Sequence, residues 1–170
     1  LGALYAKLHR ALVVHAAGDI GVSFPQHVQA PATKRTLGPV LRLHGAATAL
    51  DALMHQSWLQ GMRDHVQVAP LLPTPAGSPH RVVQRRQFKT NVNRLRRRRM
   101  QRKGETAEQA AAAIPDTVER RTDLPFVHLR SSSTAQPFCL FVMHGPLLPG
   151  SMAGHFNAYG LGPNASVPWF

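Results

Sequence analysis

The chain has 170 residues, 44% of them hydrophobic, and carries 20 Lys plus Arg against 8 Asp plus Glu for a formal net charge of +12. That length and apolar content support a buried core and exclude a wholly disordered basic tail, while no apolar run approaches the roughly 20 residues of a membrane span. A single cysteine, Cys139, excludes an internal disulfide and a cysteine-based zinc site.

Residues 1–16 carry Leu4, Leu8 and Leu12 at helical spacing and predict an amphipathic helix ending near Gly18. Lys7, His9 and Arg10 interrupt its apolar stretch, so it does not read as a signal peptide, and a cytoplasmic protein is expected. Leu1 stands where an initiator Met would, which leaves the natural start open. Ile20, Val22 and Phe24 alternate as a strand that Pro25 stops. Further strands are expected at Val40–His44 and His65–Val68, with a helix over Thr48–Met54 between them and Trp58 and Leu59 as core anchors. The segment 71–79, with Pro73, Pro75, Gly77 and Pro79, holds neither helix nor strand and reads as a linker between domains at 1–70 and 80–170. Arg81 to Phe88 is extended and basic, and an arginine-rich helix follows it. Thr106 and Gln109 form a capping-box pattern that opens an alanine-rich helix stopping before Pro115. The last third predicts strands at Phe126–Arg130, Phe138–His144, Phe156–Tyr159 and Val167–Phe170. Turns are expected at Ser131–Thr134, Gly145-Pro146 and Gly162-Pro163-Asn164. Helices mixed with strands in this order give an α+β fold.

The run from Arg94 to Lys103 holds seven cations and no acidic residue. At roughly 100° per residue, Arg94, Arg97, Arg98, Gln101 and Arg102 share one face, while Leu95 and Met100 lie about 140° apart. Such a helix offers little to its own protein and much to a polyanion, because guanidinium groups match phosphate oxygens bidentately. Charge alone leaves DNA open, but the residues before the run read as strand, not as the first half of a helix-turn-helix. Regular duplex RNA has a major groove too narrow for side chains, so an RNA target needs a hairpin end, loop or bulge.

The eight carboxylates are scattered: Asp19, Asp51, Asp64, Glu105, Glu108, Asp116, Glu119 and Asp123. Two-metal phosphoryl chemistry needs several converging acids, so a metal-dependent nuclease is not expected. Glu105 and Glu108 fit the first turn of a helix. RNA cleavage can proceed without a metal, because the 2′-hydroxyl attacks the adjacent phosphate once a base takes its proton. His is the natural base near neutral pH, yet ten are present and spacing ranks none of them. Among them, His9 lies on the first helix, His44 ends a strand and His144 precedes a Gly-Pro pair.

Several blocks in fixed order carry a resemblance. They are Lys7-Leu8-His9, Gly21-Val22-Ser23-Phe24-Pro25, Trp58-Leu59 with Arg63-Asp64-His65, the arginine run, and Ile114-Pro115-Asp116-Thr117-Val118. They continue through Leu124-Pro125-Phe126-Val127, Leu129-Arg130-Ser131, His144-Gly145-Pro146-Leu147, Tyr159-Gly160-Leu161 and Val167-Pro168-Trp169-Phe170. In these the chain resembles the CRISPR-associated repeat-cleaving endoribonucleases of subtype I-F, the Csy subtype. The resemblance implies an N-terminal ferredoxin-like (RRM-like) domain and a C-terminal β-rich arm bearing the arginine-rich helix. Set against that family, the first strand expected before helix one is not read in residues 1–16. It implies metal-independent cleavage of precursor transcript at the 3′ base of a repeat stem-loop, leaving a 2′,3′-cyclic phosphate, with no cofactor. The partners implied are the crRNA and the other subunits of a surveillance complex; a non-cleaving hairpin-binding subunit is the alternative. By resemblance the catalytic positions fall on His9, Ser131 and Tyr159. Base reading falls on Arg85 and Gln87, groove contacts on Arg97, Arg98 and Arg102, and a stacking aromatic on Phe138; Arg94, on the same helix face, is expected to bind RNA beside them. Gln101 and Arg99 depart from the family pattern, which has a basic residue at the first position and tends to be apolar at the second.

Overall fold

In the computed structural model, which describes residues 1–29, 35–88, 92–118, 122–131 and 134–170, the chain gathers into two compact units. One comprises Leu1–Arg86 with Leu124–Phe170, the other Gln87–Asp123. The architecture is α+β, with four α-helices and two antiparallel sheets among the described residues.

In the first unit, the helical spacing of Tyr5, Leu8, Ala11 and Leu12 gives α1 (Gly2–His15) a buried face. The helix stops where Ala16 takes a left-handed conformation at φ 56° and bonds back to the Leu12 carbonyl. Next, β1 (Gly21–Ser23) pairs antiparallel with β2 (Arg42–His44). Both faces of β1 are covered: Ile20, Val22 and Phe24 are buried, and so is Ser23, whose hydroxyl shares a 2.8 Å hydrogen bond with His44 Nε2. Leu50 and Leu53 bury one side of α2 (Ala47–His55). The strand expected at His65–Val68 does not form. Arg63–His65 make a single 3-10 turn and Val68 is exposed, so the alternation there has no sheet to face.

The second sheet holds β3 (His80–Arg86), β4 (Phe126–Arg130), β5 (Pro137–Leu148) and β6 (Ser166–Pro168) in the order β4-β5-β3-β6. The turn expected at Gly145-Pro146 is a bulge inside β5. Arg81 pairs with Leu147 and Val83 with His144, so two residues of β5 oppose Val82 alone. A bulge tolerates the missing N–H of Pro146, and β5 continues to Leu148. Ser132 and Ser133, in the turn expected between β4 and β5, lie outside the described residues, as does Glu119. Phe156–Tyr159 is also not a strand but leads into a turn closed by Asn157. The shared core joins α1, α2 and both sheets, with Trp58, Phe138, Phe156, Tyr159 and Trp169 packed against it.

In the second unit, α3 (Val92–Lys103) packs on α4 (Ala107–Ala113). The capping box forms: the Thr106 hydroxyl accepts from Gln109 N–H, and the Gln109 side chain accepts from Thr106 N–H.

Candidate active site and arginine-bearing helix

His9 lies one helical turn after Tyr5 on α1, so both side chains reach the same neighbour, the turn around Asn157–Leu161. His9 Nδ1 is 2.8 Å from the Ala158 carbonyl oxygen. A carbonyl can only accept, so Nδ1 carries the proton, and the neutral imidazole has its lone pair on Nε2. The His9 and Tyr159 rings are stacked, with centroids 3.9 Å apart and planes 4° from parallel. Tyr159 thus fixes the plane of the imidazole while Ala158 fixes its rotation and tautomer. The arrangement presents one basic nitrogen in one orientation.

Arg85, on β3, adds positive charge to this cluster. Its guanidinium carbon lies 5.4 Å from the Tyr159 ring centroid and 5.6 Å from that of Phe138, within cation–π range of both. Its Nε is buried without a hydrogen-bond partner among the described residues. Phe138 pairs with Leu129 across β5 and β4 and is half-buried. Ser131 follows β4 directly, on the strand against which α1 packs. Its hydroxyl accepts from Thr134 N–H at 3.3 Å. The structure therefore brings His9, Tyr159, Arg85 and Phe138 together, and Ser131 stands at the end of β4 with Thr134 N–H on its hydroxyl. Among the described residues, no group of three His, Cys, Asp or Glu could hold a metal ion.

Other histidines serve packing. His27 and His144 stack at 3.6 Å, Trp169 meets both edge-on, and Arg81 lies 4.4 Å over the Trp169 ring. Burial, then His27 and Arg81, push His144 down to about 3. Burial, then Arg42 and His80, push His44 down to about 4. Both are neutral at physiological pH and neither is poised as a base.

The second unit presents the arginines. Arg94, Arg97, Arg98, Gln101 and Arg102 are exposed, as the helical wheel predicts. The opposite face is more occupied than expected. Val92, Leu95, Arg96, Arg99 and Met100, spaced three and four apart, are buried or half-buried. Arg96 donates from Nε to the Ile114 carbonyl at 2.8 Å and pairs with Asp116 at 3.0 Å. Arg99 grips Glu105 bidentately, at 2.6 and 3.0 Å. Glu105 is thus the partner of Arg99, ahead of the Thr106 cap, and does not belong to the first turn of α4. Its carboxyl is held below the usual carboxylate range chiefly by that hydrogen bond. Gln87 is exposed just beyond β3.

Sequence reasoning missed Tyr5, Asn157, Glu105 and Asp116. A tyrosine four residues before a candidate base, and an Asn three residues before a Gly, were available signals for the first pair. Nothing local marks an acid for Arg96.

A family model described as CRISPR-associated protein (Cas_Csy4) matches residues 1–170. The chain is 46% identical over 170 residues to a CRISPR-associated endonuclease Cas6/Csy4 of Pseudomonas aeruginosa (strain UCBPP-PA14), covering 100% of this chain and 89% of that protein. It is 45% identical, with the same coverage, to the protein of that name in Escherichia coli (strain UTI89 / UPEC).

Proposed function

Because the chain belongs to the Cas_Csy4 family, the repeat-cleaving CRISPR endonucleases of subtype I-F, we propose that it binds a CRISPR repeat stem-loop and cuts the precursor transcript at the 3′ base of the stem. The observation that carries the mechanism is the fixed imidazole of His9, with Nδ1 donating to Ala158 and the ring stacked on Tyr159. His9 Nε2 takes the proton of the 2′-hydroxyl. The 2′ oxygen then attacks the adjacent phosphorus, the bond to the 5′ oxygen breaks, and that oxygen takes up a proton from water. The products are a 2′,3′-cyclic phosphate and a 5′-hydroxyl, and no metal takes part. Ser131 holds the attacking hydroxyl in line with the bond that breaks.

Arg85 and Gln87 read base edges, side-chain types suited to guanine and adenine respectively. Phe138 stacks on a base, and Arg94, Arg97, Arg98 and Arg102 hold phosphates of the stem. The segment 1–70 acts as the ferredoxin-like part, 71–79 as its connection, and 80–170 as the RNA-binding arm, whose strands share the core of the first unit. The cut guide RNA stays bound and joins the other subunits of a type I-F surveillance complex in the cytoplasm.

The test is incubation with the repeat RNA of its own locus in excess EDTA, scoring cleavage and end chemistry. Full cleavage with a cyclic phosphate end is expected. A strict divalent-ion requirement refutes the mechanism, and a hairpin bound but uncut identifies a non-cleaving subunit instead.

A further inference from the structure

The turn that carries Tyr159 is built more heavily than its length of five residues requires. Asn157 Oδ1 accepts from both Tyr159 N–H, at 2.8 Å, and Leu161 N–H, at 3.3 Å. The backbone closes the same loop, with Gly160 N–H donating to Asn157 O and Asn157 N–H donating to Leu161 O. Gly160 has φ 68°, and a Cβ added there would lie 2.3 Å from Val22 Cγ2, so glycine is required by both conformation and space. Its carbonyl accepts from Val22 N–H at 2.8 Å, which ties the turn to β1.

From the other side, α1 holds two successive carbonyls of this turn. Tyr5 donates from its hydroxyl to Tyr159 O at 2.7 Å, and His9 donates from Nδ1 to Ala158 O at 2.8 Å. Tyr5 is fully buried, edge-on to Phe24 with centroids 5.5 Å apart. Burial, reinforced by Tyr159, raises its hydroxyl well above the ordinary phenol value, so it remains a neutral donor. Its contribution is therefore placement, not proton transfer.

We propose that Tyr5 and Asn157 are positioning residues for cleavage: together they set where the Ala158 carbonyl and the Tyr159 ring stand, and hence the orientation of the His9 imidazole. This rests on the reading of His9 as the base. Asn157 fixes the turn internally, and Tyr5 fixes it relative to the helix that bears His9. Neither side chain touches the proposed reacting atoms. A shift of the base by a fraction of an ångström is enough to slow an in-line attack, since geometry sets much of the rate.

The test compares single-turnover cleavage and hairpin affinity for Tyr5→Phe, Asn157→Ala, Asn157→Asp and His9→Ala. Tyr5→Phe keeps the packed ring, and Asn157→Asp keeps the accepting oxygen. Tyr5→Phe and Asn157→Ala are each expected to slow cleavage about five- to tenfold, the scale of one lost hydrogen bond, with hairpin Kd unchanged. Asn157→Asp is expected to restore most of the rate. Wild-type rates in both Tyr5→Phe and Asn157→Ala, or equal losses in Asn157→Ala and Asn157→Asp, overturn the positioning role. If His9→Ala still cuts, the reading of His9 fails instead, whatever the other variants do.

Discussion

His9 is held by a carbonyl 149 residues away in sequence, and Tyr5 by one 154 residues away. In the other unit the arginine helix is braced locally, Arg99 to Glu105 and Arg96 to Ile114 and Asp116, and its neighbour α4 is capped by Thr106 and Gln109. The first unit orients one imidazole with a backbone carbonyl, a stacked phenol and a turn held by a buried tyrosine. The second holds two guanidinium groups inward with carboxylates and leaves four others exposed. A base needs a defined direction, which long-range packing supplies. A phosphate-binding surface needs charge at a roughly defined spacing, which one helix supplies. The two units should therefore fail differently when altered.

The largest expected effect is on chemistry alone. His9→Ala should slow cleavage of a cognate hairpin by about 10²–10⁴-fold, the range for a positioned general base, and leave Kd within about twofold. A gel-based single-turnover assay with parallel filter binding reads both. Loss of binding in place of rate would erase the division between the units and sink the assignment of His9.

Acid should strain the first unit before the second. His144 and His44 have folded values near 3 and 4, below the ordinary value near 6.5 of an unfolded chain. The unfolded state therefore binds more protons between these limits, and stability falls as pH drops below about 6.5. By pH 5 the loss from His144 alone is about 1–2 kcal/mol, allowing for its partial exposure. The Glu105 carboxyl, held below its usual range, keeps the Arg99 pair through the same interval. Thermal melts from pH 7 to pH 5 should show this slope, and His144→Phe should flatten it. An unchanged slope in that variant would remove His144 as its source.

These differences also decide what was legible in the chain. The arginine helix, the Thr106 cap and the exposed face of Arg97, Arg98 and Arg102 follow from local spacing, and all appear where expected. The site of the first unit does not, because nothing near His9 announces Ala158 or Tyr159; only the family resemblance set His9 apart from nine other histidines. Local misreadings share one cause. Gly145-Pro146 reads equally as a turn or a bulge, and only the pairing with β3 selects the bulge. Phe156 and Ala158 alternate like a strand, but Asn157 and Gly160 turn the backbone.

A smaller effect should separate grip from chemistry. Arg98→Ala should weaken hairpin binding and lower the salt slope of log Kobs by about one, the signature of a lost phosphate contact. Cleavage of saturating RNA should stay near the wild-type rate. A slope that does not change means that Arg98 meets no phosphate.

The smallest expected effect tests whether sequence density or structure counts the contacts. Arg99 belongs to the same run as Arg98 yet donates two hydrogen bonds to Glu105. Its charge is neutralised within the unit and its fork is occupied. Arg99→Leu should therefore leave the salt slope unchanged, while Glu105→Gln, which weakens the pair and adds net positive charge, should steepen it by a fraction of a unit. If Arg99→Leu lowers the slope by about one, as Arg98→Ala does, then the pair opens on RNA and the whole run is grip. If it does not, the helix carries two populations of arginine. One faces the phosphates, and the other, with Arg96, holds the first at a set angle on α4.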